Sequence, residues 1–400
     1  MKLKLTYLIL FFSTNFYSQS WVISSAFSGA ERDDATFFTI DNKAYCGTGL
    51  QVGWITTRDF YTFDFISDSW NSIAPLPIGK ERQYASGFSY NGNGFIFGGA
   101  NAAGIELNDL WKYNPVSDSW IEKAAKPNLG LSGTSCFVID SIAYIVGGKN
   151  VSTAASKEVW AYNIITDTWT HKNDLPFGGR WRASCSNNNG IGYLIFGKDE
   201  NGIIHNEMYA YSTINDSWLM VSTFPGLGRI YSSLNSVESS LVVTCGLDSL
   251  NNYYNDLWYY DSASNQWFQQ SAIPSMGRKG GICFGSYSTL YYSTGIDSLN
   301  NRLKETWKVE HPTSVAENNS DVGFTVFPNP ASTVIKLTYK TVGNYVVKVF
   351  DLNGSEVFVQ KNRNGLRQSI IDVSDWSNGL YIISLSNDNE NFYTKVIVYK

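Results

Sequence analysis

Histidine is scarce: the chain holds three in 400 residues, His171, His205 and His311. They stand at unrelated places, so the commonest general base and metal ligand cannot be gathered into a cluster. Cysteine is nearly as sparse, with five residues and no Cys-x-x-Cys pair. That excludes a zinc finger and argues against a disulfide framework. No Gly-rich phosphate loop, Ser-His-Asp order or metalloprotease helix occurs, so the common nucleotide-binding and hydrolytic signatures are missing. Charged residues make up 16% of the chain, the formal net charge is −5, and Lys and Arg form no run. Such a chain lacks the positive charge that phosphate contacts require, and no nucleic-acid partner is expected. Long apolar runs are absent too. Leu5–Phe12, between Met1-Lys2-Leu3-Lys4 and the small residues Ser18–Ser20, is too short to span a bilayer and reads as a secretory signal over residues 1–20. No transmembrane segment, cofactor or metal is expected in the mature chain.

What is abundant is periodic. Arg32, Arg82, Arg180, Arg229 and Arg278 recur every 49–50 residues, with Leu131 on the remaining beat. Trp21, Trp70, Trp120, Trp169, Trp218 and Trp267 keep the same clock, each 11 or 12 residues ahead of the Arg or Leu. Within a period the second apolar stretch ends in a glycine step, as in Phe97-Gly98-Gly99 and Val146-Gly147-Gly148, eroded around Gly197, Gly246 and Gly295. The third is an acidic residue followed by alternating aromatics, as in Asp109-Leu-Trp111-Lys-Tyr113. Alternation of this kind, punctuated by Gly, Asn and Asp, signals short strands. Four strands per period form a small sheet that must stack on its neighbours, which predicts a ring of blades.

The Gly-Gly step, the spaced Tyr and the following Trp resemble the kelch repeat over residues 21–309. The resemblance implies an all-β fold, a six-bladed kelch-type β-propeller. Its last unit stops at Val309 without a fourth-strand Trp, so the segment around Trp21 is expected to close the ring as an N-terminal strand. One closed ring is expected to be a monomer. Cys136, Cys185 and Cys283 stand at one strand position in different blades, where buried free thiols are expected. The copper site of galactose oxidase, another kelch-like propeller, has no matching ligand set here.

After a polar linker over 310–322 the clock stops. Residues 323–400 read as about seven short strands, a small Ig-like β-sandwich. Three motifs, Phe327-Pro328-Asn329-Pro330-Ala331, Val349-Phe350-Asp351-Leu352-Asn353-Gly354 and Gly379-Leu380-Tyr381-Ile382, resemble the C-terminal sorting domain of type IX secretion substrates. That resemblance implies the type IX machinery as a partner and Pro328, Asn329, Pro330, Asp351, Gly354, Gly379 and Tyr381 as its sorting motif. It also implies delivery across an outer membrane, to the cell surface or beyond.

Candidate ligand residues are those that break the pattern. Ten of thirteen tryptophans belong to two periodic series and Trp376 to the sandwich, which leaves Trp54 and Trp181. Trp181 lies between Arg180 and Arg182, and aromatics beside Arg suit stacking on a sugar or clamping a peptide. Two origins are open for the periodic arginines: a crowd of guanidiniums at one end of the channel, or structural bonds within the ring. The repeated Asp248-Ser-Leu-Asn-Asn252 and Asp297-Ser-Leu-Asn-Asn301 read as turns rather than calcium loops. The expected function is a secreted binding module for a glycan or protein. The sialic-acid mutarotases are similar in being exported six-bladed kelch propellers. By that resemblance Arg180, Arg182 or Arg229 would clamp a sugar carboxylate, with no acid or base assignable from sequence.

Overall fold

The computed structural model describes residues 20–310 except 238–239, 263 and 286–288, and also 324–327, 331–339, 345–351, 355–362, 368–386 and 391–398. Residues 1–19 of the signal, nearly all of the linker, and Pro328, Asn329, Pro330 and Gly354 lie outside the described residues. The chain divides into two compact units, Met1–Pro312 and Thr313–Lys400.

The first unit contains six four-stranded antiparallel sheets, one per period. In the first blade the strands are Thr36–Ile40, Lys43–Gly47, Phe60–Asp64 and Ser69–Ile73. The innermost strands of successive blades touch in sequence and the sixth touches the first, so the ring is closed. In the sixth blade the outer strand is Val22–Ser24, paired with Thr306–Lys308. Its Trp21 is buried and donates from Nε1 to the Ser271 carbonyl at 2.7 Å. Three other clock tryptophans make the same bridge to a carbonyl of the preceding blade: Trp70 to Ser25, Trp120 to Ala74 and Trp169 to Ala124. Trp267 donates to the Ser222 hydroxyl instead, and Trp218 Nε1 makes no such bond. A second latch runs along the channel wall. Hydroxyls of Thr36, Ser86, Ser135 and Ser184 each donate to a carbonyl of the next blade, Ala85, Thr134, Ala183 and Ser232.

The glycine step erodes in a way the backbone explains. Its first position is left-handed in all blades and is filled by Thr48, Gly98, Gly147, Phe196, Cys245 and Thr294. Its second position has φ between 89° and 102° and is always glycine. A Cβ there would sit 2.6 Å from the Asp33 carbonyl in blade one and 2.5 Å from the Gln83 carbonyl in blade two. The second glycine is therefore obligatory and the first is not.

The periodic arginines do not crowd the channel. They precede the inner strands by four residues and turn into the blade, where all five are at most 2% exposed. Arg82 donates to both oxygens of Asp109 at 2.6 and 2.9 Å and to the carbonyl of Gly98 at 3.1 Å. Arg32 and Asp59, Arg229 and Asp256, and Arg278 and Glu305 repeat the pair at the same separation of 27 residues. Arg180 departs from the pattern. It donates to the carbonyls of Phe177 and Gly179, while the equivalent acid, Glu207, faces His205 at 3.3 Å. Blade three keeps the charge by exchanging two positions. Leu131 replaces Arg, and Lys126 replaces the buried apolar residue held elsewhere by Leu76, Leu175, Phe224 and Ile273. Its Nζ reaches Glu158 at 3.5 Å over the Trp160 ring.

The second unit has a three-stranded sheet (Phe324–Phe327, Val334–Tyr339, Gln368–Asp372) and a four-stranded one (Tyr345–Phe350, Glu356–Asn362, Gly379–Ser386, Asn391–Val398). Ile335, Leu337, Val347, Val349, Ile383 and Val396 share one core. Asp351 accepts the amide of Ser355 at 2.8 Å, which fixes the turn, and the Tyr381 hydroxyl donates to the Ser377 carbonyl. Gly379 begins a strand.

Candidate functional site

Two residues after each periodic Arg or Leu the chain turns left-handed at Asp34, Tyr84, Gly133, Arg182, Tyr231 and Gly280, with φ between 56° and 65°. These six form a ring around the channel. The amide of Asp34 donates to Gly280, Tyr84 to Asp34, Gly133 to Tyr84, Arg182 to Gly133 and Gly280 to Tyr231. Positive φ is strained for tyrosine and arginine and persists only where the surroundings enforce it, as at binding sites. Gly133 is small for a second reason: a Cβ would meet Trp181 Nε1 at 2.7 Å. The ring and the residues just below it line a cavity of about 180 Å³.

Arg182 crosses this cavity to Asp34 in the opposite blade, Nη1 to Oδ1 at 3.2 Å. Its guanidinium lies 3.5 Å from the Tyr84 ring centroid and 4.1 Å from that of Tyr231, a two-sided cation–π clamp. The Tyr231 hydroxyl approaches the guanidinium, yet Arg182 Nε and Nη2 and Asp34 Oδ1 make no aligned hydrogen bond. Burial is the main cause that pushes the Asp34 carboxyl up to about 7, against the pull of Arg182 and Lys279 and with the push of Asp33. Burial likewise raises the phenols of Tyr84 and Tyr231.

Trp181 touches the ring directly, whereas Trp54 is linked to its edge only through Arg302 and Asp33. Trp181 is half-buried, its ring 4.8 Å from Lys198 Nζ, 5.3 Å from the Arg182 guanidinium and 5.8 Å from Lys149 Nζ. Trp54 is 73% exposed. Arg302 lies 5.0 Å over it and binds Asp33, the neighbour of Asp34, at 2.5 Å. Arg182 lines the cavity; Arg180 and Arg229 do not, because their side chains are spent inside the blades. The sequence reading also missed Asp34, Tyr84 and Tyr231. Reading down the column two places after the Arg would have found them, since Asp34 and Arg182 are its only charged members.

Other candidates resolve as structure. Asp248 and Asp297 accept amides two and four residues on, as do Asn101 and Asp199, so the duplicated loops are Asx turns. The five cysteines are free; Cys136 and Cys185 are half-buried on the cavity wall rather than in the core. Burial pushes the thiols of Cys46 and Cys136 up to about 12. Among the described residues no group of three or more His, Cys, Asp and Glu is disposed to hold a metal, and no helix is long and apolar enough to cross a membrane.

Comparison with known proteins agrees with this architecture. The KLHDC2/KLHL20/DRC7 kelch-repeats domain matches residues 34–228 and 133–323, and the secretion system C-terminal sorting domain matches 325–399. The solved structure of YjhT superposes with a TM-score of 0.61 at 20% identity, over 70% of this chain and 96% of YjhT, a likeness of fold. An endo-acting ulvan lyase of Formosa agariphila is 36% identical over 90 residues, which is 22% of this chain and 17% of the lyase.

Proposed function

The chain belongs to the kelch-repeat propellers and carries a type IX sorting domain for export to the cell surface or the medium, and from that premise we propose that its propeller binds a glycan over the channel mouth. The observation that carries this reading is a cation-flanked Trp181 beside the clamped Arg182 on the ring, with an open Trp54 packed under Arg302, the partner of Asp33 next to that ring. Sugars stack on exposed indoles and are oriented by a few fixed donors. Screening the full chain on a glycan array, then titrating a hit against Trp54→Ala and Trp181→Ala, tests it. Each substitution should weaken binding by ~1–3 kcal/mol, and Trp54→Ala should leave the melting temperature unchanged. Binding insensitive to both would remove the site.

A second reading, a mutarotase-like carbohydrate enzyme, gains one observation that the sequence did not offer. Asp34, held up to about 7 by burial beside Arg182, is a carboxyl able to give and take a proton near neutrality. Anomer exchange of an acidic sugar, followed by NMR, would then be fast with the native chain and slow with Asp34→Ala. Equal rates would end this reading.

Export is the second unit's task in this proposal. A chain lacking residues 323–400 should fold, bind its glycan and stay in the periplasm of its native host. Normal surface delivery of that deletion would refute the assignment.

A further inference from the structure

We propose that Asp34 is a displaceable internal counter-ion: an oxyanion group, carboxylate or sulfate, takes its place on Arg182, and Asp34 takes up a proton as it gives way. This rests on the reading of the channel mouth as the ligand site and adds the ligand chemistry and its coupling to protons.

The Arg182–Asp34 pair is poorly made by the standard of the same molecule. Arg82 with Asp109 and Arg229 with Asp256 are two-pronged, with bonds of 2.6–2.9 Å. Arg182 touches Asp34 through one nitrogen at 3.2 Å without alignment. Its side chain is 10% exposed, so Nε and Nη2 are buried donors with no aligned partner at the cavity. Such donors are costly unless something fills them, and a planar guanidinium fork fits an oxyanion with two oxygens. Tyr84 and Tyr231 hold the fork in place, so little ordering remains to be done on binding.

The charges balance. The groups facing Asp34 are Asp33 on its own segment, Tyr84, Arg182, Tyr231 and Lys279 from other blades, and Arg302 through Asp33. An incoming anion beside an ionised Asp34 would place two negative groups against the single Arg182 guanidinium in one cavity. Protonation of Asp34 restores the starting charge: the carboxylate gains one proton from solvent, and the anion pairs with Arg182. Burial already raises the Asp34 carboxyl to about 7, so protonating it as it leaves Arg182 costs little near neutral pH.

The test is calorimetric titration of the full chain with sodium sulfate, sodium glucuronate and, as the neutral control, glucose. None of these probes titrates between pH 6 and 9. Repeating each titration in two buffers of different ionisation enthalpy counts protons. The expected result at pH 8 is uptake of about one proton per anion, with affinity falling about tenfold per pH unit above 7. Asp34→Asn should bind anions without proton uptake and without that slope; Asp34→Ser serves if the first variant does not fold. Arg182→Met should lose anion binding in either background. Sulfate binding alone assigns a sulfated ligand, glucuronate alone a uronic acid, and both support the exchange. Anion binding without proton uptake, or with the same slope in Asp34→Asn, overturns it. If array glycans bind in a Trp54-dependent way while no anion binds, the glycan reading survives and this inference fails; if nothing binds, both fail.

Discussion

Removing residues 21–31 from the mature chain should unfold the propeller at ordinary temperatures rather than trim it. The segment carries two buried aromatics, Trp21 at 7% and Phe27 at 1% exposure. Phe27 packs edge-on against Trp70 at 4.9 Å, beneath the Arg32 guanidinium at 4.7 Å. Its amide also ties the segment to the Lys304 carbonyl at 2.7 Å. Deleting one buried large aromatic costs about 3–5 kcal/mol, and a domain's whole stability is about 5–15 kcal/mol. Loss of both, with the edge of Thr306–Glu310 left unpaired, consumes most of that margin and invites aggregation. Thermal melts of the two chains decide the matter. A truncated chain that melts with the intact one would show that ring closure lies elsewhere.

Replacing Arg82 with Leu should cost about 3 kcal/mol, because it takes the two-pronged partner from the buried Asp109 carboxylate and leaves it only the Trp111 indole and a longer contact to Lys80. The chain itself contains the compensated version. Blade three has Leu at this position and Lys126 where blade two has Leu76, and that lysine supplies the missing charge to Glu158. Adding Leu76→Lys to Arg82→Leu should therefore recover a large part of the loss. A double-mutant cycle read by chemical denaturation gives the coupling directly. Additive costs would mean that the two positions do not exchange roles.

The blades were legible because their signals are local. Period-two aromatics, the glycine step and the clock tryptophans each act within about one repeat, and the described residues of the second unit hold seven short strands, the number expected. The arginine–acid pairs share a constant separation of 27 residues, but no local signal names the acid as the partner, so the role of the arginines stayed open until the blades were folded. The ring was not legible by the same means. Left-handed residues between strands carry no hydrophobic period, and the Arg182–Asp34 contact joins opposite blades, so it exists only once the ring has closed. Trp54 and Trp181 were visible as exceptions, but nothing local says that Trp181 would be hemmed by Lys149 and Lys198. Arg180 and Arg229 entered the candidate site through the resemblance to the mutarotases, as clamps for a sugar carboxylate, and both side chains are buried inside the blades, away from the cavity lining.

Hydrogen–deuterium exchange of the full chain, with and without a glycan from the array, locates the ligand without any substitution. Binding at the channel mouth predicts slowed exchange around Asp34, Gly133, Trp181, Arg182 and Lys198, and in the loop holding Trp54. Protection confined to the opposite face, in the turns at Asp64–Ser69, Asn114–Ser119 and Asn163–Thr168, would contradict it.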